Sequence, residues 1–175
     1  FLLRDSVELI PIVRNKIGSL FLNYHNFDCR ISDMSNEHDA SAALNDLDGV
    51  IISSYSVDKY SGSQTRSSQK INENIIKNTI KFSKSNSILF YFSTIRAFPN
   101  DIVPNSSNFK MKSSYGKEKV HLEKLLLSES KKNNKRAFIF RMSQVFGENQ
   151  PRTHYFRKIL SNDRVLVSIP PEKIS

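Results

Sequence analysis

The sequence predicts an α/β fold built around a parallel β-sheet. Short apolar runs, such as residues 49–53 and 88–92, alternate along the chain with longer amphipathic segments, such as residues 69–83. The short runs are typical of buried strands, and the long segments repeat their apolar residues at helical intervals. Because strands that alternate with helices pair in parallel, this order indicates successive βαβ units around one sheet.

Each element is predicted from its own local pattern. Apolar side chains recur at helical spacing from Ile71 to Phe82 and predict a helix. Prolines at positions 99 and 104 indicate a loop over residues 98–108, whereas Pro151 is suited to open a helix. A stretch rich in serine, tyrosine and glycine predicts a loop over residues 54–67. The predicted strands span residues 8–13, 28–31, 49–53, 88–92, 136–141 and 164–168, and the predicted helices span residues 40–47, 69–83, 113–130 and 151–160.

The bulk composition narrows the function classes. The 175 residues suffice for one domain, and no apolar run is long enough to span a membrane. A single cysteine, Cys29, excludes an internal disulfide framework, and a cytoplasmic protein is expected. The four histidines show no metal-ligand spacing, so no metal is assigned. The net charge of +9 is scattered, which favours a solvated basic surface over a nucleic-acid interface and also suits a diphosphate substrate.

Acid/base chemistry is indicated by Tyr115 and Lys119. These residues are four positions apart in a predicted helix and therefore share one face, together with Leu122. An ammonium group beside a phenol lowers the pKa of the phenol, so that the tyrosine can exchange a proton with a substrate hydroxyl. The hydroxyl of Thr94 could hold the same substrate oxygen, and this chemistry usually accompanies hydride transfer to a nicotinamide. The alternative is a tyrosine at a helix start followed by a surface lysine.

The order of these motifs resembles a known family. Tyr-x-x-x-Lys follows a predicted strand that ends in Ser93 and Thr94, and residues 48–54 and 137–147 resemble the fourth and sixth strands of the same family. Over residues 9–147 the chain is similar to the extended branch of the short-chain dehydrogenase/reductase superfamily. That branch contains the sugar-nucleotide epimerases, dehydratases and ketoreductases. The resemblance implies a Rossmann-type, doubly wound parallel sheet.

The resemblance also implies roles for individual residues. Tyr115 would be the general acid/base, Lys119 would lower the pKa of Tyr115 and bind the nicotinamide ribose, and Thr94 would be the third catalytic group. The cofactor would be NADP or NAD, and Arg14 at the end of the second strand favours NADP because an arginine can accept the 2′-phosphate. The other implied cofactor-binding residues are Asp33, Met34, Ser53, Ser54, Ser93, Tyr115 and Met142. For Asp33, a turn or helix cap is an equal alternative, and Arg141 is expected to be structural.

The sequence departs from the family pattern at two places, and each departure leads to a prediction. The five glycines, none close to another, supply no glycine-rich phosphate turn, so residues 1–175 are predicted to be a partial NAD(P)-binding domain. We expect the first strand and the glycine turn to lie upstream, and residues 148–175 to begin a substrate-binding lobe that is otherwise missing. Ile95 and Arg96 stand where dehydratases have an Asp-Glu pair, which argues against dehydration.

The predicted function is therefore epimerisation or ketone reduction of a nucleotide-activated sugar. Family resemblance implies a homodimer for the full-length protein. Two alternatives stay open: reduction of a non-sugar carbonyl, and a non-catalytic role as a cofactor-binding regulator or nucleic-acid-associated relative. The intact set of Thr94, Tyr115 and Lys119 argues against the non-catalytic role.

Overall fold

The computed structural model describes residues 6–58, 64–97 and 114–143. The chain divides into two compact units, Phe1–Ser143 and Gln144–Ser175, and every described residue belongs to the first. Several predicted segments lie outside the described residues. They are the loop over residues 98–108, the helix over residues 151–160, the strand over residues 164–168 and the substrate lobe.

Strands and helices alternate along the described residues, as the sequence predicts. The strands are β1 (Ile12–Val13), β2 (Arg30–Ile31), β3 (Gly49–Ile52), β4 (Ile88–Thr94) and β5 (Arg136–Met142). The helices are α1 (Lys16–Tyr24), α2 (Glu37–Leu44), α3 (Arg66–Phe82) and α4 (Ser114–Lys132), and a single 3₁₀ turn, Ile95–Ala97, follows β4. β1 is shorter than the predicted strand over residues 8–13, and Pro11 contributes to this because it has no N–H to donate.

Helix α1 is absent from the sequence-based prediction. The side chain of Asn15 caps the helix by accepting a hydrogen bond from the Gly18 amide at 2.9 Å. Apolar residues follow at helical spacing, namely Ile17, Leu20, Phe21 and Tyr24, so the cap and the periodicity together were the available signal.

The strands form two parallel sheets. β1 pairs with β2, and β3, β4 and β5 pair in that order. β1 and β3 do not pair with each other, and a cavity of about 520 Å³ is lined by residues of both, including Ile12 and Val50. A Rossmann-type sheet has its first strand at this central position. The prediction of a doubly wound sheet that lacks this strand is therefore confirmed for the described residues.

One face of the three-stranded sheet forms the core. Buried residues alternate along β3 and β4, so that Val50, Ile52, Leu89 and Tyr91 point to the same side. The apolar stripe of α3 and two leucines of α4 pack against them, and these residues are Ile75, Ile76, Ile80, Leu122 and Leu126. This packing fixes α4 on β4 and thereby sets the position of every side chain on the inner face of α4.

A forked ion pair joins α4 to β5. Arg141 donates through Nε and Nη2 to the carboxylate of Glu123, with the shortest N–O distance at 2.6 Å. Glu123 is buried, and the hydrogen bonds that it accepts from Arg141, together with its negative charge, raise the pKa of Arg141. The prediction that Arg141 is structural agrees with this arrangement.

We expect Arg141→Met to lower the free energy of unfolding by about 3 kcal/mol, because it leaves the buried Glu123 carboxylate without this partner. Urea denaturation measures the change, and Arg136→Met, an exposed arginine on the same strand, is the control. Adding Glu123→Leu to Arg141→Met should recover part of the loss. A loss that is unchanged in the double variant would contradict the assignment of the stability to this pair.

Candidate active site

Helix α4 carries Lys119 into the core at the carboxyl end of β4. The residue is 4% exposed, and its ammonium donates a hydrogen bond to the backbone carbonyl of Phe92 at 3.1 Å. Lys119 follows Tyr115 by one helical turn, so both lie on the side of α4 that faces the sheet. The alternative of a surface lysine is therefore wrong for Lys119.

Three tyrosine rings surround the ammonium of Lys119. The Nζ atom lies 4.5 Å from the ring centroid of Tyr55, 4.7 Å from that of Tyr91 and 5.9 Å from that of Tyr115. Aromatic faces attract cations at such distances. Burial lowers the pKa of Lys119 to about 8, although the nearby carboxylates of Glu118 and Glu123 act in the opposite direction. A desolvated cation that is still mostly protonated at neutral pH therefore stands next to Tyr115.

Tyr115 is half-buried and packs against Tyr55. The two rings meet edge to face, with centroids 5.2 Å apart and an interplanar angle of 88°. This contact is favourable in itself and restricts the directions in which the Tyr115 hydroxyl can point.

The ends of β4 and β5 supply the next group of predicted residues. Thr94 is the last residue of β4 and is paired in register with Met142, the last residue of β5. Ser93 precedes it and is 6% exposed, and its hydroxyl has no hydrogen-bond partner among the described residues. A buried hydroxyl without a partner is costly unless a ligand or water satisfies it.

Arg14, Asp33, Met34, Ser53 and Ser54 line the 520 Å³ cavity. They follow the carboxyl ends of β1, β2 and β3, where open parallel sheets bind their ligands. Asp33 also holds a turn, because its carboxylate accepts hydrogen bonds from the Ser35 amide at 2.9 Å and the Ser35 hydroxyl at 2.7 Å. The structure thus groups five predicted cofactor residues at the cavity and the other predicted residues at α4, β4 and β5. Tyr55, which the sequence analysis did not predict, lines the cavity and also contacts Lys119 and Tyr115.

The sequence analysis did not predict three residues of this site, namely Tyr55, Asn72 and Glu118. Glu118, which is 5% exposed, accepts a hydrogen bond from the Tyr55 hydroxyl at 3.1 Å and another from the Asn72 side-chain amide at 2.8 Å. Asn72 interrupts the apolar stripe of α3, and a polar residue in such a stripe was the signal that could have found it. The structure buries Asn72, which is 3% exposed.

The comparison with protein families decides the membership of this chain. A model of the NAD dependent epimerase/dehydratase family matches residues 1–164. The chain belongs to the NAD-dependent epimerase/dehydratase family. The family resemblance predicted from the motifs is therefore confirmed. A search of curated protein sequences finds no match.

Solved structures of epimerases and oxidoreductases share the fold of this family member. One match is a UDP-glucuronic acid 4-epimerase from Bacillus cereus in complex with NAD. The superposition covers 92% of this chain and 55% of the epimerase chain, with a TM-score of 0.68 and 18% sequence identity. A UDP-N-acetylglucosamine 4-epimerase from Bacillus cereus matches 85% of this chain and 55% of its own, with a TM-score of 0.59 and 19% identity. An NADPH-dependent quinone oxidoreductase from Escherichia coli, complexed with NADPH, matches 79% of this chain and 42% of its own, with a TM-score of 0.54 and 17% identity. The chain thus spans about half the length of these proteins.

The described residues provide polar groups that could hold the nicotinamide end of a cofactor. The buried hydroxyl of Ser93 and the ammonium of Lys119 provide polar groups at the carboxyl end of β4, beside Tyr115. The glycine-rich turn that would hold a pyrophosphate is not in the sequence, where no two of the five glycines are close together.

Among the described helices, none combines the length and the apolar character that crossing a bilayer requires.

Proposed function

We propose that the full-length protein is an NAD(P)-dependent epimerase or ketoreductase that acts on a nucleotide-activated sugar. The observation that carries this proposal is the buried ammonium of Lys119, one helical turn from Tyr115 at the carboxyl end of β4. Membership of the NAD-dependent epimerase/dehydratase family supports the reaction class. The likeness of the fold to two UDP-sugar epimerases motivates the choice of substrate.

In the proposed mechanism, the chain handles the proton of the reacting hydroxyl. Tyr115, as the phenolate, accepts this proton while the carbinol carbon gives up a hydride, which leaves a ketone. The positive charge of Lys119 favours the phenolate, and the hydroxyl of Thr94 holds the reacting oxygen. A bound nicotinamide cofactor supplies the hydride acceptor and donor. In an epimerase, Tyr115 would return the proton to the same oxygen once the opposite face of the ketone has been reduced, whereas in a ketoreductase the ketone is the substrate.

The residues after β4 favour these two reactions over dehydration. Elimination of water needs an additional acid and base, and the dehydratases of the family place an Asp-Glu pair directly after the catalytic Thr. Ile95 and Arg96 occupy those positions here. The residues of this chain therefore support chemistry confined to hydride transfer and one proton.

Product analysis tests the proposal. The full-length protein is incubated with a panel of UDP- and dTDP-sugars, NAD⁺ or NADPH, and the products are assigned by NMR. An epimerase should convert one stereoisomer into the other without net change in the cofactor, and a deuterium at the reacting carbon should stay there. A ketoreductase should consume reduced cofactor in proportion to product. Reduction of quinones or other simple carbonyls, with no reaction of any nucleotide sugar, would overturn the substrate class.

Arg14 should select between the two cofactors. It is exposed at the cavity, directly after β1, and a guanidinium can bind the 2′-phosphate of NADP through charge-assisted hydrogen bonds. We expect Arg14→Leu to weaken NADPH binding by about 10–100-fold and to leave NADH binding unchanged. Calorimetry on the full-length protein measures both, with Arg136→Leu as the matched control. Equal losses for the two cofactors would show that Arg14 does not read the 2′-phosphate.

A further inference from the structure

We propose that Tyr55 is a positioning residue for this site: its ring, anchored through Glu118 and Asn72, holds the Lys119 ammonium and the Tyr115 ring in place. The inference rests on the proposed function. It assigns a role to a tyrosine in the loop after β3, which is distant in sequence from the Tyr-x-x-x-Lys motif.

The geometry around the Tyr55 ring supports the first part of this role. One ring contacts both members of the motif, because its face lies 4.5 Å from the Lys119 Nζ atom while it meets the Tyr115 ring edge to face at 5.2 Å. Of the three tyrosine rings around Nζ, that of Tyr55 is the nearest. A change in its position would therefore move the ammonium and the phenol together.

The hydroxyl of Tyr55 supports the second part. It donates to Glu118, and Glu118 also accepts from the side-chain amide of Asn72. Asn72 is in turn fixed by two hydrogen bonds to the backbone of Ser56, the residue next to Tyr55, at 2.7 and 3.0 Å. The loop after β3, helix α3 and helix α4 are thus joined in one closed set of hydrogen bonds around the ring.

Tyr55 and Tyr115, two of the three tyrosines beside Lys119, are suited to different tasks. Burial and the negative charge of Glu118 raise the pKa of Tyr55 far above its ordinary value of 10.0, so its phenol stays protonated and remains a donor to Glu118. Tyr55 is therefore unsuited to exchange protons with a substrate at working pH. Its contribution is the placement of Tyr115 and Lys119.

The groups that face Lys119 make this role measurable through pH. They are Tyr55 from the loop after β3, Tyr91 from β4, and Tyr115, Glu118 and Glu123 from α4, with Glu123 paired to Arg141. Removing the Tyr55 ring admits water and should raise the pKa of Lys119 above about 8, because burial is the main cause of its depression. Glu118→Gln removes a negative charge and should lower that pKa further. The two variants should therefore shift the titration in opposite directions.

Steady-state kinetics of the full-length protein across pH provide the test. We expect Tyr55→Leu to lower kcat by about 100-fold with KM little changed, because small misplacements of reacting groups have effects of this size. The alkaline limb of the pH profile should move upward from about 8 in Tyr55→Leu and downward in Glu118→Gln. Tyr55→Phe keeps the ring and should retain activity within about tenfold of wild type, since it loses one hydrogen bond. Tyr24→Leu, on the exposed face of α1, is the matched control.

The outcomes separate this inference from the proposed function. If Tyr115→Phe removes activity on nucleotide sugars while Tyr55→Leu leaves kcat and the pH profile unchanged, the positioning role is wrong and the proposed function stands. NMR titration of the lysine ammonium groups reports the same pKa shifts without turnover, so it decides the role of Tyr55 even if no nucleotide sugar reacts. Should Tyr55→Leu fail to fold, Tyr55→Phe and Glu118→Gln carry the test, and unshifted titration of Lys119 in Glu118→Gln overturns the inference.

Discussion

Replacing Tyr115 with phenylalanine is expected to lower kcat by about 10²–10⁴-fold, the usual contribution of a general acid or base. The phenyl ring should keep its edge-to-face contact with Tyr55, so the variant should fold and bind cofactor like the wild type. Only the hydroxyl that we propose to exchange the substrate proton is lost. Turnover of the best nucleotide sugar measures the rate, and calorimetry with the cofactor confirms that binding is preserved.

The matched control for Tyr115→Phe is Tyr24→Phe. Tyr24 is 82% exposed on α1 and outside the candidate site, so its substitution should leave kcat unchanged. If Tyr115→Phe kept full activity, Tyr115 could not be the group that moves the proton. A regulator that binds cofactor without turnover would show no catalytic difference among wild type and both variants.

Replacing Lys119 with methionine should remove activity and at the same time change the pH dependence of stability. Lys119 lies 4% exposed with a pKa of about 8, whereas an unfolded lysine titrates near 10.5. Between these values the unfolded state binds more protons, so the contribution of Lys119 to stability rises with pH across this window. Below about pH 8 the buried charge is fully present and its cost is largest. Methionine occupies a similar volume without that cost.

We therefore expect Lys119→Met to raise the free energy of unfolding at pH 7 by an amount on the order of 1 kcal/mol, after allowance for partial solvation. The advantage over wild type should shrink as pH rises from about 8 towards 10.5. Activity should fall by about 100-fold or more, because the phenolate of Tyr115 loses its neighbouring cation. Urea denaturation at several pH values and turnover assays measure the two effects.

Lys124→Met controls for the loss of a lysine from the same helix. Lys124 is exposed on α4, so both its stability and its activity should match the wild type across pH. A stability difference between Lys119→Met and wild type that does not vary between pH 7 and pH 10 would contradict the depressed pKa of Lys119.

The order of strands and helices was accessible from the sequence because it depends on local periodicity. Strands β3 and β4 and helix α3 bury one face each, and that burial leaves a regular pattern in the sequence. Helix α1 has the same kind of pattern, but Gly18 within it and its position between two short strands made it easy to overlook. The length of β1 depends on its pairing with β2 and on Pro11, which has no N–H to donate to that pairing.

The candidate site divides in the same way. Tyr115 and Lys119 are four residues apart, so their common helix face follows from sequence spacing alone. The hydrogen bond from Tyr55 to Glu118 joins residues 63 positions apart, and that from Asn72 to Glu118 joins residues 46 positions apart. Those contacts are created by the packing of α3 on α4 and of both helices on the sheet. Sequence patterns could identify the proposed catalytic pair but not the residues that contact it.

The separation of β1 from β3 has a consequence for how the domain opens. Among the described strands, β1 and β2 pair only with each other, so that half of the sheet is connected to the other half mainly through α3. These connections are the hydrogen bond from Asn78 to the Met34 carbonyl at 3.1 Å, the exposed ion pair of Lys81 with Glu37, and the apolar packing of Ala40 and Leu44 of α2 in the shared core. No ladder hydrogen bond between the described strands crosses this gap, so we expect the backbone amides of the half that carries Arg14 and Asp33 to exchange faster than those of the half that carries Tyr115 and Lys119.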